Sequence, residues 1–146
     1  MTMETDKPLV LILCTGNSCR SHIAEGFLRA AAGDVLNVQS AGGKPAGYVH
    51  PLAIKVMQEV GIDISQHRSK HVAEFDGQPF DYVITVCDDA NATCPAFPAG
   101  TRRLHWSFPD PARVEGTLAE RLDAFRRVCD SLRSRLTEFA HAETAS

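Results

Sequence analysis

The 146-residue chain lacks any apolar run long enough to cross a bilayer. Its longest early run, Leu9–Leu13, is also too short for a signal-peptide core, so the expected location is the cytoplasm and no membrane partner is expected. A basic surplus is missing: 15 Lys and Arg stand against 18 Asp and Glu, a net charge of −3. Nucleic-acid binders usually carry the opposite balance, so none is expected as a partner, although a local basic pocket for a small anion is compatible. Repeats, low-complexity tracts and long linkers are absent, and the length is that of one domain, 1–146, expected as a monomer. Aromatics are few, with only Tyr48, Tyr82 and one Trp besides the phenylalanines. The five cysteines are an odd number, and with no secretion signal they argue against a disulfide framework. Each is therefore a buried hydrophobe, a metal ligand or a reactive thiol. What remains is ordinary globular composition, 44% hydrophobic and 23% charged.

The apolar pattern alternates between strands and helices. Leu9–Leu13 reads as a strand covered on both faces. From Ser21, the positions Ala24, Phe27, Leu28 and Ala31 recur at helical spacing until Gly33. Val35–Ala41 predicts a second strand and Pro51–Val60 a helix closed by Gly61. A short helix over Ser69–Phe75 and strands at Tyr82–Val86 and Arg102–His105 follow. Leu118, Leu122, Phe125, Cys129, Leu132, Leu136 and Phe139 form one apolar stripe on a last helix of about 25 residues, which makes Cys129 a core hydrophobe. Such alternation implies an α/β doubly wound three-layer α/β/α sandwich on a four-stranded parallel sheet. Ligands of these sheets bind beyond the carboxyl ends of the strands.

The first strand-to-helix turn reads Cys14-Thr15-Gly16-Asn17-Ser18-Cys19-Arg20-Ser21. A short loop entering a helix turns backbone N–H groups and the positive helix end toward an anion. Gly16 lets the backbone bend without a Cβ, and Asn17 tolerates left-handed geometry. Arg20 offers a planar fork to two oxygens of a tetrahedral oxyanion. Cys14 lies where these dipoles converge, which predicts a lowered thiol pKa, with Ser21 donating to its sulfur. Cys87 follows the third strand and should also reach the carboxyl edge of the sheet. Cys94 is seven residues on, too far for a CxxC pair. The two are either unrelated loop cysteines or, if their Cα atoms approach within ~7 Å, a redox pair. Asp110, between Pro109 and Pro111, is either an exposed turn residue or a general acid facing the loop. His67 and His71 could share a helix face, but they lack further ligands nearby, so no metal site is expected. Packing is the expected role of Cys19, with an off-path protective disulfide to Cys14 as the alternative.

Residues 14–26, CTGNSCRSHIAEG, resemble the signature of the low-molecular-weight protein tyrosine phosphatase fold. SAGGKPA at 40–46, GIDIS at 61–65, CDDANATCP at 87–95 and HWSFPDPA at 105–112 narrow the resemblance to the thioredoxin-coupled arsenate reductases built on that fold. The resemblance implies that arsenate, with phosphate and sulfate as competitors, binds Thr15, Gly16, Asn17, Ser18, Cys19, Arg20 and Ser21. It implies Cys14 as nucleophile, Asp110 as general acid and Cys87 and Cys94 as a disulfide relay. No bound cofactor is implied, since thioredoxin supplies the electrons, or alternatively glutaredoxin or a low-molecular-weight thiol. Pro109 departs from the pattern, standing where relatives commonly carry a second acid. Ala112-Arg113 stands where the phosphatases place tyrosines, which disfavours aryl phosphates. Some relatives bind potassium behind the loop. The corresponding positions here are Arg68 and Lys70, and the expectation is that Lys70 supplies that charge. Asp88 and Asp89 are expected to disfavour the Cys87 thiolate. The alternative is a phosphatase for protein tyrosine or small phosphomonoesters that uses Cys14, Arg20 and Asp110 alone.

Overall fold

The computed structural model describes residues 7–75, 77–87 and 100–144. Four strands form one sheet: β1 (Leu9–Leu13), β2 (Asn37–Ala41), β3 (Tyr82–Thr85) and β4 (Arg102–His105). All neighbours are parallel, in the order β2-β1-β3-β4. The chain therefore reverses its direction of winding at β1, between β2 and β3, and the end of β1 is the switch point where ligands of such sheets bind. Val10, Leu11 and Ile12 are fully buried, so both faces of this central strand are covered, as the sandwich requires.

Three α-helices complete the fold: α1 (Arg20–Ala32), α2 (Pro51–Glu59) and α3 (Leu118–Thr144). α1 packs against α3 and α2, and α2 against α3. The stripe on α3 is buried from Leu122 through Phe125, Cys129, Leu132 and Leu136 to Phe139. Each fully buried leucine or phenylalanine there contributes roughly 1.5–3 kcal/mol. Leu118 departs from the expected stripe and is exposed, because the first turn of α3 runs past the core. That turn begins on a capping box in which Glu120 N–H donates to Thr117 Oγ1 (3.1 Å) and Thr117 N–H to Glu120 Oε1 (3.0 Å). Cys129 sits in the core with its sulfur 3.8 Å from Met57 Sδ, and burial pushes its thiol up to about 11.

Two shorter differences have local causes. β2 starts at Asn37 rather than Val35, which is exposed and bonds back to Ala32 O as helix α1 closes. The expected helix over 69–75 is a single 3₁₀ turn, Val72–Phe75. The residues before it, 70 and 71, extend alongside Gly42: its N–H donates to Lys70 O, and Val72 N–H donates to Gly42 O. That contact brings the 67–72 segment behind the first loop. Gly61 takes φ +82 just after α2, the left-handed stop that a glycine permits. Among the described residues no helix is long and apolar enough to cross a membrane.

Candidate active site

The loop from Cys14 to Arg20 joins β1 to α1 at the switch point. Its carbonyls face outward. Lys44 N–H donates to Thr15 O (3.0 Å), Ala46 N–H to Gly16 O (2.8 Å) and His50 N–H to Ser18 O (2.8 Å). A trans peptide points its C=O and the following N–H in opposite directions. The amides of Gly16, Asn17 and Cys19 are therefore turned inward, as an anion cradle requires. The 44–50 segment acts as a strap that sets this orientation, and His50 also caps α2 by accepting from Leu52 N–H.

Asn17 anchors the loop from behind. It adopts φ +44, the left-handed geometry expected of it, and is fully buried. Its Nδ2 donates to Ser21 Oγ (2.8 Å) and Ser40 Oγ (3.1 Å), and its Oδ1 accepts from Lys70 N–H (2.7 Å). Among the described residues no bond joins Ser21 to the Cys14 sulfur. The Ser21 hydroxyl serves the Asn17 scaffold, which corrects its expected role. Gly16 also differs from expectation. A Cβ there would meet only Ser18 Oγ at 3.5 Å, so this fold does not itself demand a glycine at 16. Beside this loop it is Gly42 whose packing demands a glycine: a Cβ there would lie 2.5 Å from Cys14 O and closer still to Thr15 O. In the sequence Gly42 is marked only as part of the SAGGKPA segment at 40–46.

The mouth of the cradle is a cavity of about 480 Å³ lined by Arg20, Cys87, Ser107, Phe108, Pro109, Asp110 and Arg113. Arg20 opens α1 and donates from Nη1 to Phe108 O (2.9 Å), while Nη2 lies 3.6 Å from Asp110 Oδ2. Its Nε is buried with no hydrogen-bond partner among the described residues. A buried donor left this way costs about 1–3 kcal/mol, and an oxyanion in the cradle would satisfy it. Asp110 caps the 3₁₀ turn Pro111–Arg113 by accepting from Ala112 N–H (3.0 Å), so its carboxylate faces Arg20 instead of solvent alone. Arg113 approaches it from outside at 3.6 Å. Cys19 is buried as expected, and its Sγ–H also points at Asp110 Oδ1 (3.8 Å). Burial and the Asp110 carboxylate push the Cys19 thiol up to about 11.

Cys87 reaches the carboxyl edge of the sheet, and its sulfur accepts from Thr15 N–H and contacts Thr15 Oγ1, both at 3.3 Å. Its side chain also neighbours that of Cys14 and interacts with it electrostatically. This contact and burial push the Cys14 thiol well above its ordinary range, although Arg20 pulls the other way. The lowered Cys14 pKa expected from the loop dipoles is corrected accordingly: a neighbouring thiol and desolvation outweigh the arginine. Cys94, Asp88 and Asp89 lie outside the described residues. His67 does not pair with His71. It meets His22 and Glu25 instead, two residues of α1 that were not singled out in the sequence. His22 is fully buried, and desolvation lowers its pKa to about 3. The i,i+3 spacing of His22 and Glu25 on α1 could have signalled the pair; their meeting with residue 67 could not be read locally.

The model of the low molecular weight phosphotyrosine protein phosphatase family matches residues 9–145. The arsenate reductase of Halalkalibacterium halodurans is 45% identical over 135 residues, covering 92% of this chain and 96% of that protein. That of Bacillus subtilis (strain 168) is 44% identical with the same coverage. Among solved structures, an arsenate reductase in an oxidized state superposes with a TM-score of 0.78 at 30% identity, covering 92% of this chain and 97% of the other. An arsenate reductase in a phosphate-binding state gives 0.75 at 31% identity, covering 92% and 98%. The cradle at the end of β1, the parallel sheet that carries it and the extent of these matches lead to one conclusion: the chain belongs to the low molecular weight phosphotyrosine protein phosphatase family.

Proposed function

We propose that the protein is an arsenate reductase in which Cys14, Cys87 and Cys94 pass a disulfide outward to thioredoxin. The observation that carries this reading is the placement of the Cys87 sulfur on Thr15 and Cys14 inside the cradle. A phosphatase needs the first thiol and has no use for the second. The relatives at 44–45% identity are named arsenate reductases, and a Corynebacterium glutamicum relative of similar fold is described as thioredoxin-dependent.

Arsenate docks on the inward amides and on Arg20, where phosphate and sulfate compete. The Cys14 thiol gives up its proton to the bound oxyanion as its sulfur attacks arsenic. Asp110 in its protonated form supplies the second proton to the leaving oxygen, which departs as water. The Cys87 thiolate then attacks the Cys14 sulfur. The sulfur–arsenic bond breaks, its electron pair stays on arsenic, and arsenite leaves a Cys14–Cys87 disulfide. The Cys94 thiolate attacks the Cys87 sulfur and frees Cys14. The Cys87–Cys94 disulfide is reduced by the thioredoxin dithiol, and no bound cofactor takes part. The reducing environment this requires makes the cytoplasm the proposed location.

The test is arsenate-dependent NADPH oxidation in the presence of thioredoxin and thioredoxin reductase. Wild type is expected to turn over, and Cys14→Ser, Cys87→Ser and Cys94→Ser each to lose at least about 10³-fold in multiple-turnover rate. p-Nitrophenyl phosphate hydrolysis that survives Cys87→Ser and Cys94→Ser, with no arsenate turnover in wild type, overturns the reading in favour of a phosphatase.

A further inference from the structure

Behind the cradle, away from the thiols, His22, Glu25 and His67 turn three ligand atoms toward one point. His22 Nδ1 and His67 Nδ1 are 3.1 Å apart, and each lies 3.8 Å from Glu25 Oε1. A point equidistant from the corners of that triangle lies about 2.1 Å from each, the bond length of zinc to imidazole nitrogen and carboxylate oxygen. We propose that these three side chains form a binding site for one zinc-class divalent transition ion.

The surroundings of each ligand fit this use. His22 Nε2 lies 3.0 Å from Asn17 O. A carbonyl only accepts, so Nε2 carries the ring proton and the lone pair of Nδ1 is aimed at the point. A backbone carbonyl holding the far nitrogen is the usual outer support of a metal-binding histidine. Glu25 is equally well held: its Oε1 accepts from Ser40 Oγ (2.6 Å) and its Oε2 pairs with Arg29 (2.9 Å). Two of the ligands come from one face of α1, and the third from the segment that Gly42 brings alongside the loop. Without an ion, the His67 Nδ1 proton bridges to His22. On binding, that proton moves to His67 Nε2, and the imidazole stays neutral. His67 is the partly exposed member of the set and provides the way in.

The local charge selects the kind of ion. Arg29 sits on the other oxygen of Glu25, and the Lys70 ammonium, donating to Arg68 O (3.0 Å), is also close. Two neighbouring cations oppose an alkali or alkaline-earth ion held by charge and oxygen alone. They leave room for an ion whose affinity comes from imidazole nitrogen, so zinc, cobalt, nickel and copper are the candidates. Because Asn17 holds both the loop and His22, an ion there would tether α1, the cradle and the 67–72 segment.

Cobalt(II) titration of the reduced full-length protein tests this with an optical readout independent of turnover. Expected are visible bands from one equivalent of cobalt on nitrogen and oxygen ligands. They should be unchanged in Cys87→Ser and weakened at least tenfold in affinity in His67→Gln and in His22→Gln. Zinc should displace the cobalt and raise the melting temperature of wild type but not of His67→Gln. His67→Gln, at the edge of the core, keeps the test valid if His22→Gln fails to fold. Absence of the visible bands, bands of thiolate ligation only, or a spectrum unmoved in His67→Gln overturns the proposal.

Discussion

The two sides of the Cys14–Arg20 loop are built to different standards. Behind it, the contacts are short and buried: Asn17 to Lys70, Ser21 and Ser40 at 2.7–3.1 Å, and Ser40 to Glu25 at 2.6 Å. At the mouth, Arg20 and Asp110 each hold one backbone group at 2.9–3.0 Å, but the contacts among the side chains are long. Arg20 and Arg113 each lie 3.6 Å from Asp110, Cys19 lies 3.8 Å from it, and Arg20 Nε has no partner among the described residues. The rear satisfies itself on folding. The mouth keeps donors and a carboxylate in place without pairing them fully, and that unspent capacity is what a tetrahedral anion would use. Preorganisation of this kind needs both halves, because inward amides stay aimed only if something rigid holds their backs.

Changing the acid at the mouth should have the largest effect. Asp110→Asn is expected to lower kcat for arsenate by about 10²–10⁴-fold. Its unfolding midpoint in urea should stay close to that of wild type, since the amide oxygen can still accept from Ala112 N–H. At the rear, Gly42→Ala should destabilise the protein by about 1–3 kcal/mol by forcing the Cys14 and Thr15 carbonyls aside. Gly16→Ala, on the inner side, should change stability by no more than about 0.5 kcal/mol. Urea denaturation of both variants would break the contrast if the two costs were equal.

A pH profile sharpens it further. The Cys87 contact is the largest influence raising the Cys14 thiol, so Cys87→Ala should lower that pKa. The rate of Cys14 alkylation by iodoacetamide should then rise at a lower pH than in wild type, and mass spectrometry of the labelled peptide reads it directly. A profile that stays put or moves to higher pH would locate the control of Cys14 elsewhere. The smallest effect concerns the rear cation. With Lys70 buried beside Asn17 and its ammonium on Arg68 O, exchanging sodium for potassium should change arsenate turnover less than twofold, or about 0.4 kcal/mol.

Much of this was legible locally. Strand β4 spans the expected residues, and the stripe on α3 was displaced only at Leu118, where one exposed turn escapes a periodicity rule. Asn17 was readable because left-handed backbone favours few side chains. Gly42 was not, because its constraint is the backbone of a loop some 25 residues earlier. The strap at 44–50 escaped for a similar reason, since backbone hydrogen bonds leave little mark on residue identity. The Cys14 thiol was misjudged because dipoles can be inferred from a loop's shape, whereas burial and a second thiol 73 positions away cannot.

The amino-acid sequence by itself determined the alternating strands and helices, the oxyanion-cradle loop between the first two of them, and the chemistry that Cys14 and Arg20 can offer. Those properties follow from neighbours in the chain, through periodicity, turn preference and side-chain charge. Only the tertiary structure decided which groups surround that chemistry: Cys87 against Cys14, Asp110 facing Arg20, Gly42 pressed on the loop, and His67 meeting His22 and Glu25. These are distances across the parallel sheet and between segments packed behind it, and they exist only once long-range packing has closed.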